Sequence, residues 1–304
     1  MSKYYKNAVL KKVVNVFQKN YANGKGNGFG DFLRGCVFLL QISLTYGLNF
    51  DVDYRNDEIF RFLYKEKDTE EKSIIDYEKV FYIIGDWKPL SEKLYKEFIN
   101  YLNSIDNETG YFYTNNGPIH PITDFQKSII KNLFLPNKLL KGEIEKTMDI
   151  LGLTEKQFNC IHIRTGDRFL VFNEVDNEFF IKMAKTMNSK IVPGNTYLIL
   201  SDSTELKTLL KKKFPNLIIW MNHVVHSGGN DETLSDSDEK ELNGIKDALI
   251  DFFIMSKSNY INSITVYEHG TGFSEYCSKL FDIGYDCTII KDEKVQKTRD
   301  CADA

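Results

Sequence analysis

The run from Phe158 to Arg168, FNCIHIRTGDR, concentrates side chains able to hold a charged ligand. An apolar stretch (Phe158, Cys160, Ile161, Ile163) gives way abruptly to His162, Arg164, Gly166, Asp167 and Arg168. A guanidinium such as that of Arg164 presents a planar fork of donors matched to a phosphate. A strand-end salt bridge between Arg164 and Asp167 is the structural alternative. Further along, His269-Gly270-Thr271-Gly272-Phe273-Ser274 reads as a strand-to-helix turn. Free N–H groups and the helix dipole at such a turn favour phosphate. Phe273 would there stack on a base or plug a hydrophobic gap. Asp251 lies on an otherwise apolar helical face, beside Leu249 and Phe252. A carboxylate in that setting must be paired or meet a ligand, because an unpaired buried charge is costly. A purine base or a ribose would serve.

A third concentration lies near the start. GKGNGFGDFLRG, residues 24–35, has glycines at 24, 26, 28 and 30 and leads into an apolar helical run, Cys36 to Tyr46. A glycine-rich loop before a helix lets backbone N–H groups meet an anion, and a flexible turn is the alternative. The spacing is neither a Walker loop nor a dinucleotide fingerprint. Asp31 and Arg34 put charge where such a loop could bring it to a ligand.

The elements that must position these groups alternate between strand and helix. Val9 to Phe17 fits either type. Leu48–Tyr54 and Val80–Ile84 read as strands, and Glu92–Leu102 as a polar helix. Helices are expected over Asp124–Phe134 and Lys138–Leu151, interrupted at Leu135-Pro136 because proline disfavours helix at the residue before it. Strands are then expected at Phe158–Ile163, Thr196–Leu200, Leu217–Met221, Tyr260–Tyr267 and Cys287–Ile290, with helices between them. The first four of these strands end in polar residues: Arg164, then Ser201-Asp202-Ser203, then Asn222 and His223, then His269 onward. Helices between strands imply a parallel sheet covered on both faces, and ligands of such sheets sit beyond the carboxyl ends of the strands. The junction between two α/β domains, 1–140 and 141–304, falls in the region of the two helices around Pro136.

The 304 residues are 42% hydrophobic and 27% charged, as in ordinary globular proteins. A formal charge of -4 and a pI near 5.8 give no sign of a nucleic-acid partner. No stretch approaches the roughly 20 apolar residues of a membrane span. The opening, MSKYYKNAVLKKVV, is too charged for a signal peptide. Five widely spaced cysteines, with no CxxC pair, suggest reduced thiols and a cytoplasmic location.

HIRTGDR, residues 162–168, resembles the first motif of the superfamily of α1,6-, α1,2- and protein O-fucosyltransferases, roughly His-x-Arg-(Arg or other)-x-Asp-(Lys/Arg). LILSDSTELKTLLKKKFPN, residues 198–216, is similar to its second motif, and DALIDFFIMSKSNYINSITVYEHGTGFSE, residues 247–275, to its third. GNGFGDFLRG resembles the N-terminal glycine-rich loop of the same enzymes. The motifs occur in the family's order and cover most of residues 158–282 together with that loop.

The resemblance implies a GT-B fold, with two Rossmann-like domains facing across a cleft. It also implies an inverting, metal-independent transfer of fucose from GDP-fucose to a hydroxyl of a glycan or glycoconjugate, with no cofactor. The same fold using another nucleotide sugar, such as a different GDP-deoxysugar, or a non-catalytic nucleotide-sugar-binding module, are the alternatives. Carried over, Arg164 stabilises the charge developing on the GDP leaving group, in place of a metal. His162 and Asp251 contact the nucleotide, Asp167 and Arg168 support the phosphate side, and Asp202 and Ser203 line the nucleotide pocket. Thr271, Gly272 and Ser274 bind phosphate, with Phe273 against guanine, while Gly28, Gly30 and Arg34 belong to the N-terminal loop. Asp31 is the first candidate for the base that deprotonates the acceptor and Glu174 the second. Thr165 stands where some relatives have a second arginine, so one phosphate contact is absent or is supplied elsewhere, with Arg34 the candidate. Relatives acting on secreted glycoproteins carry a signal or anchor, and none is seen in this sequence, which suggests a cytoplasmic microbial or viral enzyme or a shortened form of a longer chain. Asp51-Val52-Asp53 and Asp236-Ser237-Asp238 match the minimal acidic triplet of metal-dependent glycosyltransferases, but fall in a strand and a hydrophilic loop. The scattered histidines show no zinc spacing.

Overall fold

Valines at positions 13, 14 and 16 settle the ambiguous N-terminal segment as a strand, since β-branched side chains pack well on a pleated surface. A computed structural model describes residues 5–17, 28–54, 58–64, 80–83, 91–165, 177–222 and 238–290. The chain divides into two compact units, Met1–Asn137 and Lys138–Ala304.

The first unit runs β1 (Lys12–Val16), α1 (Phe29–Tyr46), β2 (Asn49–Asp53), a 3-10 turn (Glu58–Arg61), β3 (Leu63–Tyr64), β4 (Phe81–Ile83), α2 (Glu92–Ser104), β5 (Thr109–Thr114), α3 (Asp124–Leu133) and β6 (Leu135–Pro136). Its sheet has the order β2-β1-β5-β4 with every pair parallel, and β3 and β6 form a separate antiparallel ribbon. Phe38, Leu39 and Ile42 of α1 meet Phe98, Ile99 and Leu102 of α2 over Val13 and Phe112 of the sheet. Two features differ from the sequence expectation. Helix α1 begins at Phe29, not Cys36, so Gly30, Asp31, Arg34 and Gly35 are helical and not part of a loop. Glycine costs a helix about 1 kcal/mol, yet at Gly35 it is required. A Cβ there would lie 1.8 Å from the Thr114 carbonyl oxygen, so only glycine lets α1 cross β5 at this distance. The second difference is β5 itself, TGYFYT, hidden in the sequence behind the turn-like Asn107-Glu108-Thr109-Gly110.

The second unit runs α4 (Lys138–Leu151), β7 (Asn159–Arg164), α5 (Asn177–Lys190), β8 (Tyr197–Ser201), α6 (Thr204–Lys213), β9 (Ile218–Ile219), α7 (Asp238–Met255), β10 (Tyr260–Thr265), α8 (Gly272–Phe281) and β11 (Gly284–Ile289). All pairs in its sheet are parallel, in the order β11-β10-β7-β8-β9. Read from β9, that is the Rossmann order 3-2-1-4-5. Ile161 and Ile163 pack on one face against Met183 and Met187 of α5 and Leu206 and Leu210 of α6. The alternate residues Cys160, His162 and Arg164 point to the other face. The chain reverses its direction of winding between β7 and β10, and a doubly wound sheet opens its ligand crevice at that point.

Among the described residues no helix is long and apolar enough to cross a membrane, and no group of His, Cys, Asp or Glu is placed to hold a metal ion. The described cysteines, Cys36, Cys160, Cys277 and Cys287, are free thiols.

Candidate functional site

Arg164 is the last residue of β7 and pairs in register with Thr265 of β10, which places it at the switch point of the second sheet. Its Nη1 donates to Asp202 Oδ2 at 2.5 Å, and the two side chains are 15% and 6% exposed. Asp202 follows β8 directly and is fixed from a second direction. The Thr165 N–H donates to its Oδ1 at 2.9 Å and the Thr165 hydroxyl donates to the same oxygen at 2.7 Å. The Tyr267 ring lies 5.8 Å from the Arg164 guanidinium carbon. A guanidinium held between carboxylate and ring is pre-organised, so meeting a phosphate oxygen costs it little conformational entropy. Among the described residues, Asp202, just past the end of the neighbouring strand, pairs with Arg164. Asp167, the partner that sequence proximity suggested, lies outside the described residues, as do Arg168 and Glu174.

The face of β7 that carries Arg164 also carries His162, 6% exposed, with its Nδ1 buried and without a hydrogen-bond partner. Burial pushes the imidazole down to about 4, Arg164 adds to the fall, and Asp202 opposes it. At neutral pH the ring is uncharged and offers one donor and one acceptor. Phe273 stands 5.5 Å from it, centroid to centroid, and Phe252 stands 5.3 Å from Phe273. Asp251, on the same side of the sheet, is 4% exposed. Burial pushes its carboxyl up to about 7, while Lys207 and a hydrogen bond from Asn222 pull it down and Asp247 raises it. Asn222 Nδ2 donates to Asp251 Oδ1 at 3.3 Å, and Lys207 Nζ donates to Asn222 Oδ1 at 2.7 Å. Of the two expectations for Asp251, a partner or a ligand, the structure supplies a partner in the Asn222 amide, with the Lys207 cation behind it. Lys207 was overlooked. Its neighbours Leu206 and Leu210 mark a buried helical face, and a lysine adjoining that face was the available signal.

Helix α8 starts at the expected phosphate turn. Thr271 is its N-cap residue and its side chain makes no cap hydrogen bond, which leaves the N–H groups of the first turn without that usual partner. Thr271 and Ser274 are buried, with Gly272 and Phe273 partly exposed between them. The Ser274 hydroxyl is turned inward onto the Ser263 hydroxyl at 3.2 Å, so an anion arriving at the helix end would meet the Ser274 N–H. Ser203 behaves similarly. Its hydroxyl accepts the Leu206 N–H at 3.1 Å and caps α6.

The first unit has its own switch point, between β1 and β5. Gly28 is the N-cap of α1 and Asp31 lies in the first turn. Arg34 Nη2 pairs with Asp31 Oδ1 at 3.0 Å, and Arg34 Nε donates to the Asn115 carbonyl at 2.5 Å. The ion pair is thus anchored to the end of β5, with Asp31 38% exposed and Arg34 12%. Beneath it Asn15, fully buried, accepts from the Thr114 N–H and donates to Cys36 Sγ. Asn115 Oδ1 and Asn116 Oδ1 are buried without a hydrogen-bond partner.

No family model matches the sequence, and no curated protein is similar to it by sequence. Solved structures are similar. NodZ α-1,6-fucosyltransferase co-crystallised with GDP aligns over 88% of this chain and 91% of its own at 13% identity, with a TM-score of 0.50. The same enzyme soaked with GDP-fucose gives a TM-score of 0.51 at 12% identity, over 89% and 92% of the two chains. A GDP complex of an Arabidopsis thaliana FUT1 mutant gives 0.55 at 11% identity, over 96% and 74%. The fold is fucosyltransferase-like. It is an α/β architecture of the GT-B class, with a parallel sheet in each unit. Within this fucosyltransferase-like fold, the second unit gathers His162, Arg164, Asp202, Ser203, Asp251 and the turn from Thr271 to Ser274 around one end of its sheet. Gly28, Gly30, Asp31 and Arg34 belong to the first unit, at the start of α1. Thr165, which the motif comparison treated as a missing arginine, is instead the residue that locks Asp202 against Arg164.

Proposed function

We propose that the chain is a glycosyltransferase that moves fucose from GDP-fucose to a hydroxyl of a glycan or glycoconjugate, with inversion and without a metal. The observation that carries this reading is the arrangement at the switch point of the second sheet. A half-buried guanidinium, held by a carboxylate and a ring, lies there with a helix N-terminus that its N-cap side chain leaves uncapped and a neutral imidazole. The fucosyltransferase-like fold and the GDP and GDP-fucose complexes of its structural neighbours support the choice of donor.

In this reading the acceptor O–H attacks the anomeric carbon and the bond from that carbon to the β-phosphate oxygen breaks. The electron pair leaves on GDP and the acceptor proton passes to a carboxylate. Arg164 and the N–H groups at the start of α8 stabilise the charge that grows on the β-phosphate. Phe273 and His162 hold the base, with Asp251 accepting from its edge. The second unit is the donor domain and the first the acceptor side, where Asp31 is the base. Arg34 orients Asp31 through the 3.0 Å pair. Glu174, Asp167 and Arg168, outside the described residues, remain the second candidate base and the phosphate-side support. The free thiols of Cys36, Cys160 and Cys277 fit a reducing, cytoplasmic setting.

The reading is tested by incubating the protein with GDP-fucose and a panel of glycan acceptors in EDTA, with released GDP and the product's anomeric configuration as readouts. Transfer with inverted configuration supports it. Transfer only from a different GDP-sugar moves the assignment to another donor. GDP binding without turnover on any acceptor supports a non-catalytic nucleotide-sugar module.

A further inference from the structure

Lys207 is the least expected residue in the second unit: an ammonium with 0% exposure. Lysine is almost never fully buried unless paired, because desolvating the charge is costly. Its partners therefore indicate what it is for. Nζ donates to the Asn222 carbonyl at 2.5 Å and to Asn222 Oδ1 at 2.7 Å. An ammonium only donates, so the Asn222 amide is fixed with Oδ1 on the lysine and Nδ2 on Asp251 Oδ1. The charged and titratable groups around the carboxylate, and the amide that bonds it, come from several elements. Lys207 faces it from α6, Asn222 from the end of β9, Asp247 from the preceding turn of α7 and Cys160 from β7. Lys207 also feels Asp202, the residue that grips Arg164. One cation thus interacts electrostatically both with the carboxylate that grips Arg164 and with Asp251.

We infer that Lys207 and Asn222 are positioning residues that fix Asp251 in one orientation and favour its carboxylate form, so that it selects a purine edge bearing two adjacent N–H donors. The inference rests on the guanine-nucleotide reading above and extends it to the residues that set base specificity. An ionised carboxylate is purely an acceptor. Guanine offers N1–H and the N2 amino group side by side, hypoxanthine offers N1–H alone, and adenine offers no donor at N1. Asn222 donates to Oδ1 alone, which leaves the carboxylate able to accept further donors in the plane that the amide imposes.

The test is calorimetric titration of the purified chain with GDP and with IDP, from pH 6 to pH 9, on wild type, Lys207→Met and Asn222→Leu. Wild type is expected to prefer GDP by about 10- to 100-fold, the value of one hydrogen bond to a charged group. In both variants that ratio should shrink to within about threefold, a difference under 1 kcal/mol. In Lys207→Met the acid limb of GDP binding should also move to higher pH, because the cation favouring the carboxylate is gone. Residues that only pack would lower the melting temperature and leave ratio and limb unmoved, and that result overturns the inference. Should Lys207→Met fail to fold, Asn222→Leu decides by the same ratio. A wild type that binds GDP and IDP equally at every pH overturns it without any variant. GDP that does not bind wild type at all contradicts the guanine-nucleotide reading itself. GDP binding with an unchanged ratio in the variants contradicts only the role of Lys207 and Asn222.

Discussion

The two units solve the same topological problem with different chemistry at the sheet edge. Each has a parallel sheet whose winding reverses beside its first strand, β7 in the second unit and β1 in the first. At the second unit's reversal charge is dense and interlocked: Arg164 on Asp202, Thr165 on Asp202, Lys207 on Asn222, Asn222 on Asp251. Among the described residues at the first unit's reversal lie the buried amides Asn15 and Asn116, the buried Oδ1 of Asn115, the buried carboxylate Asp53 at the end of β2, and an ion pair between Asp31 and Arg34. The first arrangement is a fixed electrostatic device suited to an anion. The second, among the described residues, is built mainly on amides, with the Asp31 carboxylate held at its margin. A shared topology decides where chemistry is placed, and the residues at the strand ends decide which chemistry it is.

The largest effect that would break this comparison is structural. Gly35→Ala forces a methyl group to within 1.8 Å of the Thr114 carbonyl oxygen, where backbone must move. A cost of about 3 kcal/mol or more is expected, at the upper end of overpacking. Hydrogen exchange should show lost protection in β1 and β5 with β7 and β10 unaffected. Equal loss in both sheets would contradict treating the units separately.

The pH dependence of stability sharpens the contrast, because it belongs to the second unit. His162 has a folded value of about 4 against an ordinary 6.5, a depressed pKa. Its contribution, about 3 kcal/mol, is complete above pH 6.5 and is lost as the pH falls through 4. Asp251 is the reverse, raised to about 7 from 3.8. Its contribution, about 4 kcal/mol, is complete below pH 3.8 and is lost as the pH rises through 7. Between pH 4 and 7 the two oppose each other. Denaturant titrations should find His162→Gln growing more stable toward acid in this window and Asp251→Asn growing less stable. Parallel slopes for the two variants would contradict the assignment. The smallest effect is Ser203→Ala, which removes the α6 cap and should cost about 1 kcal/mol, read as a lowered melting temperature.

Much of the second unit was legible in the sequence because its strands are short apolar runs that end in polar residues, and its helices carry a clear 3.6-residue period. The break at Leu135-Pro136 was legible for a stereochemical reason, and the structure has a two-residue strand there. The start of α1 was not, since Gly30 and Gly35 look like loop residues until the contact with Thr114 is known. Strand β5 was obscured by the turn-forming residues before it. In the site, motif order pointed to Arg164 and to the turn at Thr271. The cross-strand lock from Thr165 to Asp202, and the burial of Lys207, depend on residues 37 and 15 positions away from their partners, a range local pattern does not reach.

The central claim is that the second unit holds a guanine nucleotide diphosphate through Arg164. It is tested most directly by calorimetric titration of wild type and Arg164→Lys with GDP, UDP and GDP-fucose in EDTA. Lysine keeps the charge and loses the planar fork. Wild type should bind GDP and GDP-fucose in preference to UDP without metal, and Arg164→Lys should bind them about 10- to 100-fold more weakly, as expected for lost hydrogen bonds to a charged group. Preference for UDP, a requirement for a divalent metal, or undiminished affinity in the variant would contradict the account.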